Sequence, residues 1–397
     1  MFEALEPLSP DPILGLMAAY REDPRDNKID LGVGVYRDEA GNTPIMKSVS
    51  VAEQRRFEAE TTKAYIGPPG TPEFNVVARQ LMFGAAHAVL QDKRVAGVQT
   101  PGGCGALRVG AELIKRARPE TTVWVSNPTW ANHVPLLGNA GLAIREYAYY
   151  DKATRSLDAD GMLAALGTVP AGDIVLLHGC CHNPSGVDLK TEHWHAVAEL
   201  ANRQGFTPFI DLAYQGLGDG LEEDAEGVRI MAAACPELIV ASSYSKNFGL
   251  YRERVGALQI VSPDTRQTGI VQSQLGSVVR GIYSMPPAHG AAIVEIILND
   301  ETLHAAWVEE LTGMRERING LRDLLARRLG ERTGQDFGFI REQRGMFSFL
   351  GISPEQVAQL RDEYAIYMVD SSRINVAGVN GANLEHFIES MGRVLGA

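Results

Sequence analysis

Five short runs of branched and aliphatic residues constrain this chain more than any other feature. They are TVWVS (in the 121–126 region), DIVLLHG (173–179), TPFIDLAY (207–214), ELIVASSYS (237–245) and VGALQIV (255–261). Each is rich in Val, Ile and Leu on both faces, as strands covered on both sides are. Amphipathic stretches separate several of them, such as HWHAVAELANRQG, closed by Gly205 as a C-cap. The alternation predicts an α/β fold: a large domain whose mostly parallel sheet is flanked by helices.

The chain has 397 residues, more than one core usually organises, so a second unit is expected. The character changes from about Asp300. ETLHAAWVEELTGMRERINGLRDLLARRLGERTG reads as one long helix or two joined helices. Strand-like GMFSFLG and RINVAG follow, with helical SPEQVAQLRDEYAI between them. We place a large domain at 46–313. A small α+β domain takes 314–397, joined by residues 1–45.

The net charge of −12 disfavours nonspecific binding to nucleic acid or to an anionic membrane, both of which need a positive field. No apolar run approaches the roughly 20 residues of a membrane span. The start, MFEALEPLSPDPILGL, lacks the basic and then apolar order of a signal peptide. Four cysteines without a regular framework read as free thiols, so a cytoplasmic protein is expected.

Chemistry concentrates at the strand ends. In SSYSKNFGLYRERVGAL, Lys246 follows a strand, with Ser243, Ser245 and Arg254 close by. Ligands of α/β folds sit at such positions. A lysine that attacks a carbonyl must lose its proton, and burial or neighbouring positive charge achieves this. Hydroxyls with an arginine suit a phosphate. The same Ser243-x-x-Lys246 spacing also fits penicillin-binding acyl transferases, but their Ser-Asp-Asn and Lys-Thr-Gly elements are absent. Asp211, at the end of TPFIDLAY, is a buried acid that needs a cation, for which a protonated pyridine nitrogen would serve. Tyr214 lies three residues on. TPGGCGALRVGAELI is a glycine turn opening a helix, where Gly102, Gly103 and Gly105 let the backbone approach a phosphate. Its third glycine is misplaced for a dinucleotide fingerprint, which disfavours a nicotinamide enzyme. Trp130 in NPTWANH suits stacking on a flat ring. Cys180 and Cys181 of HGCCHNPSG, flanked by histidines, are expected to point to opposite sides of an extended chain, so no metal is assigned.

Together NPTWANH, HGCCHNPSG, DLAYQG, SSYSKNFGLYRERVGAL and PPAHGA resemble the fold type I, class I pyridoxal-phosphate aminotransferases of the aspartate and aromatic amino acid branch. The likeness runs from DPILGL to RINVAG. It implies a seven-stranded sheet and pyridoxal 5'-phosphate as cofactor, held by Lys246 as a Schiff base. It also implies that Asp211 pairs with the pyridine nitrogen, Tyr214 and Asn183 bond the phenolate oxygen, and Trp130 covers the ring. Gly103, Cys104, Ser243 and Arg254 would cradle the phosphate, reached also by Tyr65 of a neighbouring subunit. Arg373 would grip the substrate α-carboxylate, and Arg280 of the other subunit a side-chain carboxylate. Gly34 and Phe347 would line the substrate pocket. A shared site implies a homodimer.

Three positions depart from the pattern of strict aspartate enzymes: Cys104 for Thr or Ser, and Met285 and Ala64 for Asn. A thiol donates poorly, and flexible Met285 accommodates varied side chains. The expected activity is therefore ping-pong amino transfer between aromatic or dicarboxylic amino acids and 2-oxo acids. A strict aspartate enzyme is the first alternative, and a non-catalytic cofactor binder a remote one.

Overall fold

In the computed structural model, which describes residues 1–7 and 12–397, the apolar runs form the middle of a seven-stranded sheet. The strands are β1 (Val95–Pro101), β2 (Thr122–Asn127), β3 (Ala143–Ala148), β4 (Ile174–His178), β5 (Thr207–Leu212), β6 (Leu238–Ser243) and β7 (Val255–Val261). Their spatial order is β1-β7-β6-β5-β4-β2-β3. Strand β7 is antiparallel to both neighbours, and every other pairing is parallel.

Burial on both faces is literal. In β4, Val175 and Leu177 enter one core while Ile174 and Leu176 enter another on the opposite face. Two strands escaped the sequence reading. β1, VAGVQTP, is interrupted by Gly97 and Gln99, and β3, AIREYA, is largely exposed because it forms an edge. The β1 edge is closed by a side chain. Gln272, from the helix Thr265–Ile282, donates to the Gly97 carbonyl at 3.1 Å and accepts its N–H at 2.9 Å. The strand is thus denied to a foreign chain.

A third core gathers Ile29 and Leu31 with residues between Leu321 and Met391. Around it Phe347–Phe349 pairs antiparallel with Arg373–Asn375, and Ile29–Asp30 pairs parallel with Ile366–Tyr367. The segment after Asp300 is one helix, Glu301–Thr333, begun by the Asp300 side chain accepting Leu303 N–H at 2.9 Å and ended by left-handed Gly334. It serves two cores, giving Trp307 and Leu311 to the first and Leu325 and Leu329 to the third. No helix among the described residues is long and apolar enough to cross a membrane.

Candidate active site

Strand β1 and the five parallel strands end at the same edge of the sheet, and β7 begins there. This is the edge where open α/β sheets bind ligands. A cavity of about 270 Å³ opens at it. Gly103, Cys104, Trp130, Asn183, Asp211, Tyr214, Ser243, Lys246 and Arg254 line it, together with Gly34, Phe347 and Arg373 from the chain around the third core.

The Lys246 amine lies over the Tyr214 ring, 4.7 Å from its centroid. Burial pushes its pKa below the ordinary lysine value, with Arg254 adding to the push and Asp211 opposing it. That push makes the free amine, and hence a nucleophile, easier to reach than at an ordinary lysine. Burial also acts on Asp211, but against its charge. The hydrogen bond from His133 leads the effects that oppose burial, and together they hold the carboxyl below its usual range. Tyr214 is raised well above a normal phenol, by burial first and then by Asp211. Its hydroxyl therefore stays protonated and can donate.

Behind Asp211 runs a line of groups that the sequence reading missed. His133 Nε2 meets Asp211 Oδ2 at 3.1 Å, and Thr129 Oγ1 sits 2.8 Å from His133 Nδ1 and 3.1 Å from His178 Nε2. One hydroxyl proton cannot point both ways. If His133 is neutral and donates through Nε2, Thr129 donates to its Nδ1 and accepts from His178 Nε2–H. Burial pushes His178 down to about 3, so it stays neutral. The NPTWANH motif contained His133, but nothing in its spacing joined it to an aspartate far along the chain.

The opposite end of the cavity suits a phosphate. The helix Gly102–Ala117 starts there with no side-chain cap, leaving its first amides free. Arg254 Nη1 reaches Ser245 Oγ at 3.3 Å, and Ser245 Oγ lies 3.2 Å from Ser243 Oγ. Gly102 has φ +74°, and a β-carbon on it would run into the Arg254 guanidinium. Such a cradle of hydroxyls, guanidinium and helix-start amides suits a compact anion. The Cys104 thiol is raised by burial and is reached by Asn132 Nδ2 at 3.8 Å.

Arg373 closes the third side. Its guanidinium lies 4.4 Å from the Phe347 ring centroid and donates to Gly32 O at 2.7 Å and to Asn183 Oδ1 at 3.5 Å. Its Nε is buried and has no partner among the described residues. A buried guanidinium with unspent donors is a receptor for a carboxylate. Gly34 lies so close beneath Phe347 that a β-carbon would come within 2.7 Å of the ring tip.

Two expected residues lie outside the cavity of this single chain. Tyr65 is 92% exposed. Arg280 is exposed at the end of its helix and bonds Ser284 Oγ. One expectation is corrected. The chain is not extended at Cys181, where φ is +51°. The two thiols therefore do not diverge; they lie with an Asp224 oxygen within 4.8 Å of one another. That carboxylate is already engaged by the amides of Gly216, Gly218 and Asp219 at 2.7, 2.9 and 2.9 Å. Burial raises Cys181 to about 12, keeping it a thiol rather than a metal-binding thiolate.

Residues 26–391 match the family described as aminotransferase class I and II. An aspartate aminotransferase from Salmonella typhi is 50% identical over the whole of both chains. An aromatic-amino-acid aminotransferase from Pseudomonas aeruginosa is 48% identical over 97% of this chain and 96% of that one. Among solved structures, the aromatic-amino-acid aminotransferase of Burkholderia pseudomallei, covalently bound to pyridoxal phosphate, superposes with a TM-score of 0.98. It is 43% identical and is covered to 99% by all of this chain. The chain belongs to the class I and II aminotransferase family.

Proposed function

We propose that this protein is a pyridoxal-phosphate-dependent aminotransferase. It moves the amino group between aromatic or dicarboxylic L-amino acids and 2-oxo acids such as 2-oxoglutarate. The observation that carries the reading is the placement of Lys246 and Asp211 around one cavity. That cavity has an uncapped helix start at one end and the unspent Arg373 guanidinium at another. When bound, the cofactor supplies an aldehyde carbon for the amino group and a ring that spreads the charge left at the substrate α-carbon.

The chain's own residues do the rest. Gly103, Cys104, Ser243 and Arg254 hold the phosphate, and Trp130 covers the ring face. Asp211, kept ionised by His133, holds the proton on the pyridine nitrogen. Tyr214 and Asn183 donate to the phenolate oxygen. Lys246 would hold the cofactor through its Nζ, and that amine, when free, would accept the substrate α-proton and hand it on. Arg373 fixes the α-carboxylate so that the α-hydrogen faces Lys246, while Phe347 and Gly34 bound the side chain. Water supplies the carbonyl oxygen of the departing oxo acid, and a second oxo acid gives its oxygen back to water as it takes up the amino group, so the kinetics are ping-pong.

Tyr65 and Arg280 face solvent in one chain, which fits donation to a neighbour's site in a homodimer. In this reading Tyr65 reaches the neighbour's phosphate and Arg280 a substrate side-chain carboxylate. The division into a domain at 46–313 and a second made of 1–45 and 314–397 would let the second close over bound substrate. The four free cysteines suit a reducing cytoplasm.

The test is the absorbance of the purified protein before and after adding glutamate without an oxo acid. Conversion of the bound cofactor to its amine form, with one 2-oxoglutarate released per site, is expected. A spectrum that glutamate leaves unchanged identifies a binder rather than an aminotransferase.

A further inference from the structure

Tyr251 belongs to the loop that carries Lys246 and Arg254, and no role above uses it. It is half-buried and lines the cavity. Its two polar ends reach different parts of the molecule. The carbonyl accepts from Arg254 Nη1 at 2.9 Å, the same nitrogen that bonds Ser245 Oγ. The hydroxyl accepts the backbone N–H of Tyr36 at 2.9 Å.

Residues 32–36 form no ladder, so individual hydrogen bonds decide where they lie. Arg373 Nη2 holds Gly32 O at 2.7 Å, and Asn375 Nδ2 holds Val33 O at 2.6 Å and Val35 O at 2.7 Å. Those two residues sit on the strand Arg373–Asn375, beside the third core. The Tyr251 hydroxyl ties the segment instead to the lysine loop. Tyr36 is buried, and a buried N–H needs a partner. Without the hydroxyl, the segment must shift to find another, carrying Gly34 away from Phe347.

We propose that Tyr251 is a positioning residue for amino-acid binding, which fixes the Gly34 segment against the phosphate-cradle loop and so holds the pocket wall in register with Lys246. The proposal rests on the aminotransferase reading. Its hydroxyl touches neither the reacting atoms nor the phosphate, so it acts on substrate affinity and not on the proton transfers.

Tyr251→Phe removes the hydroxyl alone. In the holoenzyme, with aspartate and 2-oxoglutarate, KM for aspartate is expected to rise about three- to tenfold, the scale of one lost neutral hydrogen bond, with kcat held within about twofold. The pH titration of the bound cofactor's absorbance should not move, because the surroundings of Lys246 are intact. Amide exchange at Tyr36 should become faster. Thr43→Val supplies a second arm at an exposed residue, since Thr43 Oγ1 holds the Tyr36 carbonyl at 2.9 Å. It should raise KM in the same way. Faster exchange at Tyr36 with KM unchanged in both variants overturns the proposal, as does a loss confined to kcat. The exchange measurement needs no turnover. It therefore still reports on the tie if the wild-type protein fails to transaminate, a result that would sink the aminotransferase reading instead.

Discussion

His133 Nε2 stands 3.1 Å from Asp211 Oδ2, both side chains are buried, and among the described residues no lysine or arginine forms an ion pair with this carboxylate. A strand-end acid is held ionised by an imidazole whose other nitrogen is satisfied by Thr129. Asp211 is thereby ready to stabilise positive charge brought to it.

Asp211→Asn is expected to slow α-proton removal by about 10²–10³, the cost of losing one preorganised electrostatic partner at a developing charge. Substrate affinity should change far less, because the charge matters most in the transition state. Single-turnover kinetics with an α-deuterated donor separate the two, and an unchanged deprotonation rate refutes the pairing.

Gly102→Ala places a β-carbon where φ is +74° and where the Arg254 guanidinium already lies. Backbone strain of about 1–3 kcal/mol predicts a loss of cofactor affinity of roughly tenfold or more. Fluorescence titration of the apoenzyme with pyridoxal phosphate measures it. An affinity equal to wild type means that the phosphate sits elsewhere.

Arg280→Leu tests the substrate range. A charge-assisted bond to a side-chain carboxylate is worth about 1.5–3 kcal/mol, so kcat/KM for aspartate should drop by roughly ten- to a hundredfold. Phenylalanine, which cannot use the guanidinium, should be little affected. Met285 and Ala64, where strict aspartate enzymes carry Asn, should let Arg280 swing aside for a ring. A wild-type preference for aspartate over phenylalanine beyond about a thousandfold, some 4 kcal/mol, makes this a strict aspartate enzyme.

Acid should destabilise the fold through its buried histidines. His178 titrates near 3 when folded, because burial disfavours its charge, and near 6.5 when unfolded. Its folded pKa is depressed, so the unfolded chain takes up a proton that the folded one refuses. Stability is full above about pH 6.5 and is lost as pH falls toward 3, by at most about 1.4 kcal/mol per pH unit for this one group. Urea midpoints measured between pH 7 and 4.5 should show the decline, and His178→Gln should flatten it. An equal slope in the variant assigns the decline to other groups.

Much of the cavity could be read from local pattern because its residues cluster at strand ends. Ser243, at the end of β6, is followed by Lys246 and Arg254, and Asp211, near the end of β5, by Tyr214. What escaped detection was set by partners distant in sequence. His133 meets Asp211 across two strands, and Tyr251 meets Tyr36 between separate parts of the fold. Strand β3 hid because an edge strand with one exposed face need not be apolar throughout. The bend at Cys181 hid because a positive φ at a cysteine leaves no mark in composition. Tyr65 and Arg280 were found only through family resemblance, since within one chain neither is among the residues that line the cavity.

The reversal of β7 has a consequence for how the cofactor is seated. A parallel neighbour would have sent the chain back across the sheet, through a helix, before it returned to the binding edge. The antiparallel turn from β6 to β7 keeps Ser243, Lys246 and Arg254 on one uninterrupted bridge, both of whose abutments are rungs of the same ladder, from Gly256–Ser243 onward. Lys246 and Arg254 therefore share a single mount, fixed at both ends to the sheet. A displacement of the chain around the third core would leave the spacing between Lys246 and Arg254 set by that ladder alone.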